Sequence, residues 1–126
     1  YEFTYIGRKP DDLSLKNSLI ATGDNRFLSE TISNSHIYLT ASEEEAGANH
    51  VLEALACGIP ILYHKNGGSI NNYCEDYGVS YDSFDSMLSG LEKIRNNYKL
   101  YKNSVLKYNH TIEDSIEEYM QVIDNV

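Results

Sequence analysis

The sequence predicts an α/β fold in which helices cover both faces of a doubly wound parallel sheet. Short apolar runs alternate with segments whose apolar residues recur at helical spacing. The links from strand to helix are short, as in βα units. The apolar run from Ile37 to Leu39 is nearly continuous, which is typical of a strand that is covered on both faces.

Composition and charge fit one globular domain. The chain has 126 residues, of which 41% are hydrophobic, so it can bury a core without disulfides or a structural metal, and Cys57 and Cys74 need no special role. With 19 acidic and 10 basic residues the formal charge is −9, which opposes binding to nucleic acid or to an anionic membrane. No apolar run reaches the roughly 20 residues of a membrane-spanning helix. We expect a cytoplasmic domain without nucleic-acid partners.

In the first half of the chain we expect strands over residues 3–7, 17–22 and 36–40, and a helix over residues 25–34. The strand pattern of the first segment ends at Gly7, where a polar loop begins. Asp24 is suited to cap the helix, because its carboxylate can accept hydrogen bonds from the free N–H groups of the first turn. The sequence thus begins with repeated strand and helix units.

In the second half we expect helices over residues 48–56 and 70–77, strands over residues 60–63 and 79–81, and long helices from residue 84 to the end. Gly58 and then Pro60 end the first of these helices, and Thr111 caps the last one. The C-terminal helices carry one apolar stripe at Phe84, Leu88, Leu91, Ile94, Tyr98, Tyr101 and Val105, and another at Ile112, Ile116, Tyr119 and Ile123.

The segment between the third strand and the next helix has the most chemical content. In open α/β sheets, ligands bind beyond the carboxyl ends of the strands, where helix N-termini offer free N–H groups. Gly47 and Ala48 are small enough for a phosphate or a sugar to approach the backbone. Asn49 and Glu53 share one helical face, and Glu45 precedes the first turn. These residues predict a polar ligand site.

Each of these residues also has a purely structural interpretation. Carboxylates near a first turn interact favourably with the helix dipole and are commonly solvated. Glu53 is different, because it interrupts an apolar stretch in which a buried carboxylate would need a partner. His50 and Lys65 could contact phosphate, or could be ordinary surface side chains.

The run from Ala41 to Pro60, followed by Gly67-Gly68, resembles the donor-binding signature of the retaining glycosyltransferases of family 4, which have the GT-B fold. That signature is a Glu, seven residues and a second Glu that opens a Glu-Ala-x-Ala-x-Gly-x-Pro stretch, and Glu45 and Glu53 have this spacing. Several residue types match in one register.

The chain departs from the family's pattern at two places. Asn71 stands where a Glu commonly follows the glycine pair, and Ala46-Gly47-Ala48 replaces a Gly-Phe-Gly type of insert. We expect the preference for nucleotide or sugar to differ accordingly.

The resemblance implies a role for each matched residue. Glu45 is the predicted catalytic residue and contacts hydroxyls of the donor sugar, while Glu53 holds the ribose hydroxyls of the nucleotide. The nucleobase of the donor would lie near Arg8 or Lys9. Carboxylates accept from hydroxyls and backbone amides donate to phosphate oxygens, which agrees with these roles. The predicted donor-binding residues are Glu53, Gly47, Ala48, Asn49, Gly67, Gly68 and Arg8.

The resemblance also implies the function. We expect residues 1–126 to be the Rossmann-like, C-terminal donor-binding domain of an enzyme that transfers a hexose from UDP- or GDP-sugar with retention, in polysaccharide biosynthesis. We expect no cofactor and no metal. We also expect the first βα unit and an acceptor domain to be missing from these residues, so that the fragment is inactive alone. The apolar last helix is then exposed or pairs with another copy, and we expect self-association.

Two other functions remain open at this point. An epimerase of the same fold also binds nucleotide sugars, and transfer to an added acceptor would exclude it. A degenerate, non-catalytic binding or assembly module would use the apolar edge left by missing elements as an interface. Affinity for nucleotide sugars that is lost on Glu53→Ala would exclude this module.

Overall fold

The computed structural model describes residues 1–7, 9, 11–19 and 24–125. Arg8 and residues 20–22 of the second predicted strand lie outside these ranges. The described elements are β1 (Tyr5–Ile6), β2 (Ser18–Leu19), α1 (Asn25–Ser33), β3 (Tyr38–Thr40), α2 (Asn49–Ala56), β4 (Ile61–His64), α3 (Ser69–Cys74), β5 (Gly78–Tyr81), α4 (Phe84–Asn96), α5 (Tyr98–Val105) and α6 (Ile112–Asp124). Their order confirms the predicted alternation of strands and helices.

The described strands pair in parallel, as predicted. β1 pairs with β2 in a two-stranded sheet, and a second sheet has the order β3-β4-β5. In this second sheet Thr40 is opposite Tyr63, and His64 is opposite Tyr81. The carboxyl ends of the three strands therefore meet at one edge of the sheet.

Helices cover both faces of the three-stranded sheet. Side chains alternate along β4, so Ile61 and Tyr63 belong to one core while Leu62 belongs to the other. α1, α2 and α3 cover the first core with residues such as Leu55, and α4 covers the second with Ile94. This arrangement confirms the predicted α/β architecture.

α5 closes the edge of the sheet where the strands begin. The Lys102 Nζ donates to the carbonyl oxygen of Gly58 at 2.6 Å, and the Ser104 hydroxyl donates to that of Asp76 at 2.7 Å. The Tyr98 ring meets His36 edge-on. These three partners precede β4, β5 and β3, respectively. α5 therefore covers the amino ends of the strands and leaves the carboxyl ends to the loops.

Helix ends follow the predicted signals. Asp24 accepts from the Arg26 amide at 2.9 Å and caps α1. Gly58 has a φ of 72° after α2, a conformation that favours glycine and ends the helix. Thr111 and Asp114 form a reciprocal capping box at the start of α6.

The C-terminal helices differ from the prediction of one continuous stripe. Phe84 and Leu88 are 70% and 42% exposed. Leu91 and Ile94 of the predicted stripe do pack in the second core, and Met87 joins them there, because α4 turns that side toward the sheet. Helix α4 ends at Asn96, and a non-helical segment separates α5 from α6.

The second predicted stripe, on α6, faces solvent. Ile112, Ile116, Tyr119 and Ile123 are all more than half exposed. In the part of the chain that the structure describes, no helix combines the length and the hydropathy needed to cross a membrane.

Both cysteines are free thiols. Cys74 lies in the first core, and burial raises the pKa of its thiol to about 12. Cys57 is half-buried beside α1. Their roles are those of small packing residues.

Gly78→Ala is expected to destabilise the fold. A Cβ at this position would lie 2.1 Å from the carbonyl oxygen of Ile61, inside the pairing of β4 with β5. We expect a loss of about 1–3 kcal/mol in the free energy of unfolding, measured by urea denaturation. Gly47→Ala is the matched control, because nothing lies within 4 Å of its Cβ position. Equal stability of the two variants would contradict the prediction.

Candidate functional site

Two loops leave the carboxyl edge of the three-stranded sheet. The glutamate loop, residues 41–48, joins β3 to α2, and the glycine loop, residues 65–68, joins β4 to α3. The two strands are neighbours, so the loops start side by side. This is the edge at which open α/β sheets bind ligands.

Backbone hydrogen bonds join the two loops into one unit. The Glu44 amide donates to the carbonyl oxygen of Asn66 at 2.8 Å. The carbonyl oxygen of Glu45 accepts from both the amide and the hydroxyl of Ser69, each at 2.9 Å. The main chain at Glu45 is therefore held against the start of α3.

The contact between the loops requires a glycine at position 68. Gly68 has a φ of 64°, and a Cβ there would lie 2.5 Å from the carbonyl oxygen of Glu45. Neither the dihedral nor the space accommodates another residue. The neighbouring Gly67 is buried and donates to the carbonyl oxygen of His64 at 2.9 Å. The predicted glycine pair thus has a demonstrable structural task.

Glu44 adopts a strained backbone conformation, with a φ of 55°. Such a conformation is costly for a residue with a Cβ and persists only where its surroundings impose it. The hydrogen bond to Asn66 and the close approach of Gly68 impose it here. Strain of this kind is commonly found at functional sites.

The Glu45 side chain is much less constrained than its backbone. The residue is half-buried. Within the described chain its carboxylate accepts one long hydrogen bond, from the Gly47 amide at 3.5 Å. A carboxylate on a fixed main chain, with its own acceptor capacity largely unused, is suited to receive ligand hydroxyls.

The mouth of α2 presents Asn49 and Glu53 to solvent on one helical face. Ala48, which precedes the helix, is fully buried and supplies no side-chain cap. The Asn49 amide is used within the loop, since it donates to the carbonyl oxygen of Gly47 at 3.1 Å. The Asn49 amide, one of the predicted backbone donors to a ligand, therefore already has a hydrogen-bond partner within the chain.

The expectation that Glu53 is buried was wrong. Its neighbours Val51, Ala54 and Leu55 fill the core, but Glu53 lies on the outer face of α2 and is exposed. An apolar stretch in a helix of eight residues still leaves one position in each turn outside the core. Glu53 thus needs no internal partner and is free to meet a ligand.

His50 is half-buried and contacts Tyr38. The Tyr38 hydroxyl lies 3.1 Å from the His50 Nδ1, and the two rings are tilted against each other. Burial, and then the Glu53 charge, raise the pKa of Tyr38 to about 12. The tyrosine therefore remains neutral at physiological pH.

Lys65 is the first residue of the glycine loop, and Asn71 lies in α3 just after the loop. Lys65 forms an ion pair with Asp82 at 2.7 Å, and that hydrogen bond lowers the pKa of the aspartate. The Asn71 Nδ2 donates to the carbonyl oxygen of Lys65 at 2.8 Å, which a glutamate at this position could not do. The Asn71 Oδ1 is buried and has no hydrogen-bond partner among the described residues.

The loops form an open edge. A cavity of about 560 Å³ lies elsewhere, between α2, α3 and α6, and four tyrosines contribute to its lining. No three His, Cys, Asp or Glu side chains in these ranges are grouped closely enough to hold a metal ion.

The structure unites only part of the predicted site. It joins Glu45 to Gly67 and Gly68 through the loop contacts, and it places Asn49 and Glu53 on α2. Sequence analysis overlooked the residues that connect the loops, which are His64, Asn66 and Ser69. The signal for His64 was a polar residue at the carboxyl end of an otherwise buried strand.

Gly68→Ala is expected to separate the two loops. The added Cβ would press on Glu45, and alanine tolerates the positive φ poorly, so we expect a loss of about 1 kcal/mol or more in unfolding free energy. The Ser69 amide should also exchange with solvent faster, as measured by NMR. Gly47→Ala is the control. Unchanged exchange at Ser69 would refute a dependence of the contact on Gly68.

Comparison with known proteins agrees with this geometry. The family model described as "Glycosyl transferases group 1" matches residues 6–109, a span that includes both loops and α2. No curated protein and no solved structure was found to match the chain. Because the family model covers most of the sequence and the whole candidate site, the chain belongs to the group 1 glycosyl transferases.

Proposed function

We propose that this chain binds the nucleotide-sugar donor of a retaining glycosyltransferase of family 4. The observation that carries the proposal is the joining of the two loops at the carboxyl edge of the sheet, with Glu45 at their junction. The spacing of Glu45 and Glu53 supports the same assignment.

Glu45 is the proposed catalytic residue and accepts from hydroxyls of the donor sugar. Its carbonyl oxygen is fixed by Ser69, while among the described residues its carboxylate accepts only the long hydrogen bond from the Gly47 amide. A ligand hydroxyl can therefore bind without breaking a strong internal contact.

Glu53 is the proposed partner of the ribose hydroxyls. It is exposed on α2, one turn after Asn49. A carboxylate can accept from two neighbouring hydroxyls at once. Its exposure means that binding requires no rearrangement of the core.

The diphosphate would lie against the backbone of the glycine loop and the start of α2, which includes Gly47 and Ala48. Lys65 is already neutralised by Asp82, and three consecutive glutamates precede α2. Phosphate binding then depends on backbone N–H groups and on cations such as Arg8, the residue that the resemblance assigns near the base. We expect the isolated chain to bind its donor weakly.

The proposal extends to the complete enzyme. We propose transfer of a hexose from a UDP- or GDP-sugar in polysaccharide biosynthesis, with an acceptor domain completing the site and with the chain inactive alone. We also propose a cytoplasmic location, with peripheral contact to a membrane for a longer protein. Transfer to an added acceptor by such a protein would exclude an epimerase.

The Glu53→Ala and Glu45→Ala variants test the donor site. We expect Glu53→Ala to weaken binding of both the free nucleotide and its sugar conjugate at least about tenfold, since it removes hydrogen bonds to a charged group. Glu45→Ala should leave nucleotide affinity intact and remove the additional affinity due to the sugar. Calorimetric titration with UDP, GDP, UDP-glucose and GDP-mannose measures both effects.

Glu117→Ala is the control, because this exposed glutamate lies on α6, outside both loops and outside α2. Donor affinity that survives both site substitutions would refute the assigned roles. Absence of binding by the unmodified chain would favour a degenerate, non-catalytic module.

The exposed apolar face of α6 supports a second proposal, weak self-association of this chain. Ile112, Ile116, Met120 and Ile123 share this face, and acidic side chains flank it. Apolar burial favours pairing of two copies while like charges oppose it. We expect association in sedimentation experiments to strengthen with added salt, and Ile116→Glu to abolish it. A monomer at every salt concentration would contradict this proposal.

A further inference from the structure

His64 lies where the two loops meet the sheet. It is the last residue of β4, and its side chain is 15% exposed. The glycine loop begins at the next residue, and the glutamate loop leaves the neighbouring strand. The imidazole is therefore beside both loops of the proposed donor site.

The His64 Nδ1 accepts a hydrogen bond from the Asn66 amide at 3.3 Å. The Asn66 carbonyl in turn accepts from the Glu44 amide at 2.8 Å. These contacts form one chain from the imidazole through the glycine loop to the glutamate loop. His64 also accepts from Gly67 through its own carbonyl oxygen.

Two titratable groups face the imidazole. The Glu43 Oε1 is 3.8 Å from the same Nδ1, and the Tyr81 ring meets the imidazole edge-on, with 5.4 Å between the ring centroids. The Tyr81 hydroxyl donates to the carbonyl oxygen of Thr40 at 3.0 Å. Lys65 and Asp82, which follow the ends of β4 and β5, pair with each other.

We propose that His64 is a positioning residue that holds the glycine loop in its donor-binding arrangement only while its imidazole is neutral. This inference rests on the proposed donor site. It makes donor affinity fall as the pH falls, with the change carried by one side chain that does not touch the donor.

The physical reason is that one nitrogen atom has two incompatible tasks. A neutral Nδ1 has a lone pair and accepts from Asn66, whereas a protonated Nδ1 can only donate. Protonation removes the acceptor of the Asn66 amide and gives the Nδ1 a proton that it can donate toward the Glu43 Oε1, 3.8 Å away. The glycine loop then loses the contact that fixes Asn66 opposite Glu44.

The first experiment measures affinity for UDP-glucose and GDP-mannose at about pH 5.5 and about pH 7.5, a range that spans histidine titration. The diphosphate diester of a nucleotide sugar does not change its charge in this range. We expect binding about threefold to tenfold weaker at the lower pH, the effect of one lost hydrogen bond.

Matched variants isolate the role of the nitrogen. His64→Asn keeps an acceptor close to the Nδ1 position and cannot titrate, so its affinity should be high at both pH values. His64→Phe keeps a ring against Tyr81 without the acceptor, so its affinity should be low at both. His36→Asn, at the opposite edge of the sheet, should retain the native pH profile. An equal pH dependence in the native chain and in His64→Asn would overturn the inference.

NMR tests the same coupling without a ligand. As the pH falls, the Asn66 and Glu44 amide resonances of the native chain should shift and their protection factors against hydrogen exchange should decrease. Both changes should have the same midpoint as the His64 imidazole. These changes should be absent in His64→Asn. Failure of any nucleotide sugar to bind would count against the proposed function only. A titration of His64 that leaves the Asn66 and Glu44 amides unchanged would overturn the positioning role itself.

Discussion

The seating of the glutamate loop on the glycine loop is the contact on which the candidate site depends. It requires a residue without a Cβ at Gly68, because the Glu45 carbonyl oxygen occupies the space that a side chain would need. The same oxygen accepts hydrogen bonds from the Ser69 amide and hydroxyl, and the carbonyl oxygen of Asn66 accepts from the amide of the strained Glu44. A glycine that at first suggests only space for a ligand therefore also has a packing task. The proposed ligand-binding surface and the contact between the two loops are therefore formed by the same backbone segments.

The rest of the fold makes this edge available. The two cores cover the faces of the sheet, and α5 closes the edge where the strands begin through Lys102, Ser104 and Tyr98. The carboxyl edge remains uncovered, and the glutamate and glycine loops lie there. Both α2 and α3 begin at this edge.

Charge is the main obstacle to the proposed binding of a nucleotide-sugar donor at this edge of the sheet. The glutamate loop has three carboxylates, and the nearest described lysine, Lys65, is neutralised by Asp82. Under this proposal a diphosphate would rely on backbone N–H donors, whose dipoles act only when they are held in place. A fixed conformation of the glycine loop is therefore more important for the proposed binding here than in a site with a free cation. His64 contributes to that conformation, because its Nδ1 accepts from the Asn66 amide.

Local signals were sufficient to predict the α/β class, the parallel strands, the caps at Asp24, Gly58 and Thr111, and the glycosyl transferase family, because these depend on local periodicity, turn chemistry and one spaced motif. Tertiary structure alone decided that Glu53 is exposed, that Phe84 and Leu88 face solvent, and that His64 connects the loops. Periodicity gives the faces of a helix but not which face meets the sheet, and a hydrogen bond between neighbouring loops has no local signature. The packing of distant segments settles both.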